Sequence, residues 1–179
     1  MRLSPGLANG IRFFNQKNIP VIVITNQPVV ARGLISEHGV EKLHKIINTR
    51  LHKKNARIDR FYFCPHHPNA TVKKYQMICA CRKPAIGMIK QAEKEFNLDL
   101  AHSIMIGDMT QDILAGKKAR IRTILAKTGY GGKDGKYAVT PDYYAASIKA
   151  ALTIARSIIK KGGGIANPLF HDPIKAREQ

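Results

Sequence analysis

Short apolar runs alternate with helical stripes along this chain, and that alternation restricts the fold more than any other feature. Val21-Ile22-Val23-Ile24 is continuously apolar and β-branched, which describes a strand buried on both faces of a parallel sheet. Ile58–Phe63, Ser103–Gly107 and Arg122–Ala126 read as further strands. Pro5–Asn18 reads as a helix, with Pro5 in its first turn and Leu7, Ile11 and Phe14 on one face. Ser36 can cap a second helix whose stripe is Val40, Leu43, Ile47 and Leu51. Ile86–Phe96, Gln111–Ala119 and Tyr144–Ile159 complete the helices. Strands alternating with helices predict an α/β fold: a Rossmann-like three-layer sandwich with helices on both faces of a parallel sheet. Gly162-Gly163-Gly164 breaks the last helix, so one domain over residues 1–160 and a flexible tail over 161–179 are expected.

In such folds ligands sit beyond the carboxyl ends of the strands. Residues 64–84 are a long stretch there without helical or strand period, which implies a functional loop or one held by something else. It carries Cys64-Pro65-His66 and Cys79-Ala80-Cys81, two tight pairs separated by twelve residues. Three thiolates and an imidazole suit a tetrahedral structural zinc. His66 is the preferred fourth ligand and His67, followed by Pro68, the competing one. The alternative is an unpaired set of buried cysteines. Three cysteines cannot form a complete disulfide framework, and their clustering fits a reducing compartment.

Three further groups lie at strand ends. Asp108 follows the third strand, and Asp112 stands one helical turn later. Paired hard oxygen ligands suit magnesium, while the competing reading is a capped helix start. Thr25-Asn26 offers a hydroxyl and an amide to a phosphoryl oxygen, or simply opens a turn. Arg82-Lys83-Pro84 presents two cations directly after the cysteine loop, suited to phosphate or no more than a surface basic pair.

Thirty Lys and Arg stand against twelve acids, a formal net charge of +18. The charge is scattered in pairs such as Lys53-Lys54 and Lys117-Lys118, so it reads as a solvated basic surface. No basic–aromatic interleaving supports nucleic-acid binding. No apolar run approaches the roughly 18 residues of a membrane span, and no secretory signal pattern opens the chain. A cytoplasmic monomer without nucleic-acid or membrane partners is expected.

In order and spacing these groups resemble the haloacid dehalogenase superfamily phosphatases of the D,D-heptose 1,7-bisphosphate phosphatase type, with histidinol-phosphate phosphatase a close relative. The matching text is Val23-Ile24-Thr25-Asn26-Gln27, Ala31-Arg32-Gly33, Cys64-Pro65-His66-His67-Pro68, Cys79-Ala80-Cys81-Arg82-Lys83-Pro84, and Gly107-Asp108 with Asp112. The cysteine loop joined to Arg-Lys-Pro is the specific part. The resemblance implies a cytoplasmic phosphoric monoester hydrolase that converts a small phosphorylated sugar, heptose 1,7-bisphosphate, to the 1-phosphate on the route to lipopolysaccharide. Thr25 would hold the phosphoryl group with Asn26 beside it, Lys83 would stabilise developing charge, and Arg82 would contact substrate. Asp108 would bind catalytic magnesium with support from Asp112. Zinc on Cys64, His66, Cys79 and Cys81 would shape the pocket and stay out of the chemistry.

The sequence departs from that family in one respect. The nucleophile there belongs to an Asp-x-Asp motif ending a central strand, and none of the seven aspartates here has a second aspartate two positions on. The first, central strand is therefore expected to be missing, leaving unpaired backbone groups on its two neighbours at about 1–3 kcal/mol for each buried orphan. On that expectation these 179 residues are unstable or rearranged and do not turn over. The alternatives are histidinol-phosphate phosphatase and a non-catalytic, zinc-bearing module that binds a phosphorylated ligand or partner.

Overall fold

The computed structural model describes residues 3–161; the tail expected beyond them lies outside the described residues. In chain order the elements are α1 (Leu7–Asn15), β1 (Ile22–Asn26), α2 (Pro28–Ala31), α3 (Glu37–His52), β2 (Arg60–Cys64), α4 (Gly87–Phe96), β3 (Ile104–Gly107), α5 (Thr110–Lys118), β4 (Arg122–Ala126), β5 (Tyr143–Ala145) and α6 (Ile148–Lys161). A single 3-10 turn, Lys73–Tyr75, interrupts the long loop after β2. Among the described residues no helix is long and apolar enough to cross a membrane.

All strand pairings are parallel, and they form two sheets, β1-β2 and β3-β4-β5. The side chains alternate between two helical layers, as the two-residue period of a strand requires. Val23 and Phe61 face α1 and α3 through Ile11 and Leu51. Ile22 and Tyr62 face α4 through Met88 and Ala92. In the other sheet Ile104, Ile106 and Ile124 meet α1 and α6 through Phe14, Ala151 and Ala155, while Met105 meets Ala115 of α5. The three-layer α/β sandwich is thus present, with α1, α3 and α6 on one face and α4 and α5 on the other.

β1 and β3 share no backbone ladder. Side chains join the sheets instead. Val21, just before β1, packs into the Phe14 and Ile11 clusters on one face, and Ile24 packs into the Met105 and Met88 clusters on the other. β1 is accordingly half-buried along its whole length, a correction to the expectation of a strand covered on both faces.

Two element assignments also change. Residues 143–145 are a fifth strand paired with β4, where the sequence predicts the start of a helix. The Ser147 hydroxyl accepts the Ala150 N–H at 3.2 Å and starts α6 later than expected. A four-residue helix beginning at Pro28 follows the turn that Thr25-Asn26 is read to open. Ser36 does cap α3, its hydroxyl accepting the Gly39 N–H at 3.0 Å.

Candidate functional site

The cysteine loop closes on itself. The thiols of Cys64, Cys79 and Cys81 lie 3.1–3.5 Å apart, and His66 Nδ1 lies 3.4 Å from Cys81 Sγ and 3.7 Å from Cys64 Sγ. All four ligand atoms fall within 4.8 Å of one another, a group that could hold a metal ion. A tetrahedron built on zinc–sulfur bonds of about 2.3 Å has sulfur–sulfur edges of roughly 3.8 Å, so the cluster has nearly that size. Burial pushes the Cys64 thiol up, reinforced by hydrogen bonding to Cys81, and burial also raises Cys81. At Cys79 burial is outweighed by hydrogen bonds from Cys81 and the Arg82 backbone, and the thiol is lowered. Three thiols this close would need a cation between them to ionise together. His67 stands outside the group: its Nδ1 accepts the Asn69 N–H at 3.1 Å. Burial lowers its pKa first, and then the charges of Arg82, Arg32 and Lys136.

The loop delivers Arg82 and Lys83 to the strand ends. Arg82 Nη1 donates to the His66 carbonyl at 2.9 Å, which ties the cation to the cysteine cluster. Asn26 clamps the next residue from both sides: its Nδ2 donates to the Lys83 carbonyl and its Oδ1 accepts the Lys83 N–H, each at 3.0 Å. Asn26 therefore addresses Lys83 here, not an open phosphate position. Lys83 is 9% exposed. Its Nζ donates to the Ile24 carbonyl of β1 at 2.8 Å and lies 2.8 Å from Asp112 Oδ1. That oxygen has no aligned hydrogen-bond donor, so its compensation is chiefly ionic. Thr25, at the same strand end, accepts a long 3.4 Å hydrogen bond from Gln27 Nε2 on its hydroxyl.

Asp108 and Asp112 take different roles around the start of α5. Asp112 is buried; its Oδ2 accepts the Met109 N–H at 3.2 Å, and its Oδ1 faces Lys83. A side chain on Gly107 would strike the Asp112 Cβ, which explains the glycine between strand and acid. Asp108 is held by a glycine-rich loop, residues 129–135. Its Oδ2 accepts the Tyr130 N–H at 3.1 Å, its carbonyl accepts the Gly132 N–H at 2.8 Å, and no hydrogen bond from the described residues reaches its Oδ1. Gly129 has a φ of +55°, and a Cβ there would collide with Asp108 Oδ2. Only glycine satisfies both the left-handed backbone and the close approach.

Sequence reasoning misses Asp134. Its two carboxylate oxygens accept the Thr110 N–H and hydroxyl, both at 2.8 Å, capping α5 from a loop 24 residues away. Burial raises its pKa, but these bonds and nearby Lys136 outweigh that and hold it low. Asp134-Gly135 is visible as a turn, yet its partner is not. The same loop helps to enclose a cavity of about 410 Å³ lined by Arg82, Lys83, Gln111, Lys118 and Lys136 among others.

Residues 80–151 match a family model described as HAD-hydrolase-like. The chain is 42% identical over 121 residues to the D-glycero-beta-D-manno-heptose-1,7-bisphosphate 7-phosphatase of Rhodopseudomonas palustris, an alignment covering 68% of this chain and 67% of that protein. It is 36% identical to the Yersinia pestis protein of the same name over 69% of this chain and 66% of that one. The chain thus spans about two thirds of the length of these relatives. Among solved structures it resembles D,D-heptose 1,7-bisphosphate phosphatase from B. bronchiseptica complexed with magnesium and phosphate. That match has a TM-score of 0.73 and 27% identity, over 88% of this chain and 83% of that one.

Proposed function

The chain belongs to the heptose-1,7-bisphosphate 7-phosphatase family of haloacid dehalogenase-like hydrolases, and from that premise we propose that its strand-end site binds heptose 1,7-bisphosphate by the 7-phosphate. The carrying observation is Lys83. A loop closed by a metal-type ligand group ends in this one buried cation. Its Nζ reaches β1 at the Ile24 carbonyl, two residues before the strand ends, and the start of α5 at Asp112. A cation fixed where both sheets end is placed to bind a phosphoryl group and to stabilise negative charge developing on it. Thr25 hydrogen-bonds a phosphoryl oxygen beside it, and Arg82 contacts the sugar or its second phosphate.

Cys64, His66, Cys79 and Cys81 would hold zinc, which supplies rigidity to the loop carrying Arg82 and Lys83. Asp108 would hold magnesium, which supplies neutralising charge at the phosphoryl oxygens when bound. Among the described residues its Oδ1 takes no hydrogen bond, and the Tyr130 N–H fixes the other oxygen. Asp112 supports the site mainly by balancing Lys83. None of the seven aspartates is paired with another two positions on, so this reading covers binding and charge stabilisation by these residues, and it places no nucleophile among them.

Isothermal titration of the zinc- and magnesium-loaded chain tests the proposal. Heptose 1,7-bisphosphate should bind and histidinol phosphate should not. Equal affinity for both would overturn the sugar reading, and no binding of either would overturn the phosphate site. Metal-dependent turnover by the 179-residue chain would show that the nucleophile is among its residues after all.

A further inference from the structure

The amino ends of β4 and β5 form a second concave surface, at the opposite end of the sheet from Lys83. Ile124 of β4 pairs with Tyr143 of β5 in parallel register, so Arg122, at the start of β4, lies two residues nearer the amino end than Tyr143. α6 follows β5 and finishes at Lys161. Its last turns, with Arg122 and Tyr143, line a groove of about 490 Å³, within the roughly 300–1,000 Å³ of small-molecule sites.

The groove is divided by polarity along its length. Ile154 and Ile158 stand one turn apart on α6, half-buried against the Phe14–Ile124 cluster, and with Tyr143 they make its apolar part. Lys161 stands three residues beyond Ile158 on the same helix face, and Arg122 is the cation on the strand side. Both cations thus sit at the outer end of the groove, and both are exposed. Among the described residues neither has a carboxylate within ion-pairing distance. α1 and α6 contain no acid at all. Asp142, next to Tyr143, is already engaged by Lys117 and Thr123. Elsewhere on the surface cations are matched, as in Lys90 with Glu93 and Arg60 with Glu95.

We propose that this groove binds a small amphiphilic carboxylate. Its apolar body lies against Ile154, Ile158 and Tyr143, and its head lies between Arg122 and Lys161. The guanidinium offers a planar fork that matches a carboxylate, and burial of the apolar body supplies the remaining attraction. Because the groove opens at the amino ends of the strands, its ligand does not compete for the site at their carboxyl ends.

Titration of the full chain with octanoate, octanol and acetate, read by calorimetry and by amide chemical shifts, tests this. Octanoate should bind as one molecule per chain. It should bind at least about tenfold more tightly than octanol, which lacks the charge, or acetate, which lacks the apolar body. The shifts should concentrate on Tyr143, Ser157 and Lys161. Arg122→Gln should weaken octanoate about tenfold and leave octanol unchanged, and Ser157→Trp should block both. Both positions are exposed, so both variants should melt as wild type does. No octanoate binding, equal binding of octanol, several molecules per chain, or shifts centred on Lys83 would each overturn the proposal. Tighter binding of octyl phosphate would overturn the carboxylate head. A dimer in sedimentation that octanoate dissociates would put a second copy of the chain in the groove and overturn the small-molecule reading.

Discussion

β1 and β4 are strands of equal length and similar composition, Ile-Val-Ile-Thr-Asn and Arg-Thr-Ile-Leu-Ala, yet they end in different environments. In β4 every residue after Arg122 is buried, with Thr123 and Ile124 at 0% exposure. In β1 no residue is fully buried. β4 has β3 on one side and β5 on the other, whereas β1 pairs with β2 alone. An apolar β-branched run states that a strand wants covering; its neighbours decide how much covering it receives. The half of the molecule built on β1 compensates with other links: the cysteine cluster at the end of β2, Asn26 clamped on Lys83, and Lys83 on the Ile24 carbonyl.

If those links replace a second ladder, and the cysteine cluster holds zinc as proposed, removing that metal should produce the largest effect. Cys64 is the last residue of β2, fully buried and central to the cluster. Chelation, or Cys64→Ser, should lower the melting midpoint by more than about 10 °C, because structural zinc contributes directly to folding. Loss of far-ultraviolet signal should accompany it, and added zinc should restore the chelated wild type. A midpoint insensitive to chelator would mean that β1 and β2 stand without the cluster, and the comparison would fail at its base.

Paired truncations give the next effect. Ile124→Ala empties a fully buried position in the Phe14–Ala151 cluster and should cost about 3 kcal/mol. Ile24→Ala removes a half-buried side chain that spans two clusters, and should cost about 1 kcal/mol. Urea unfolding of both variants measures the difference. Equal losses would show that Ile24 joins the sheets as firmly as a ladder would.

The same contrast separates what the sequence discloses from what it withholds. The α/β alternation, the parallel pairing and the cysteine cluster depend on local pattern and short spacing, and all were legible. Arg122–Ala126 was legible to the residue. The burial of β1 was not, because it depends on which strand lies alongside. Tyr144 and Ala145 read as helix and are strand: three residues are too few for a strand period, though Ser147 marks the true helix start. The site divides in the same way. The spacing put Lys83 and Asp108 near strand ends, where the structure has them, but the hold of Asp134 on α5 could not be read. It comes from a loop folding back over 24 residues onto Thr110, and no local pattern encodes that return.

A smaller effect tests why β4 is the better-anchored strand. Asp142, just before β5, fastens the start of β4: Oδ2 accepts the Thr123 N–H and hydroxyl, both at 2.8 Å, and Oδ1 accepts Lys117 Nζ at 2.6 Å. Burial pushes this carboxyl up, but the Lys117 and Thr123 bonds outweigh it and hold the pKa at about 2, below the ordinary 3.8. A depressed carboxyl stabilises the fold when ionised. Its contribution is therefore complete above about pH 4 and disappears as pH falls through about 2. The carboxylate is 36% exposed, so solvent screening reduces the contribution to about 1 kcal/mol. Asp142→Asn should lower stability by about that amount at pH 7 and by much less near pH 2. Thermal melts of both proteins across that range measure the difference. A loss that persisted undiminished at pH 2 would show that shape and neutral hydrogen bonds, not the carboxylate charge, hold β4 between its neighbours.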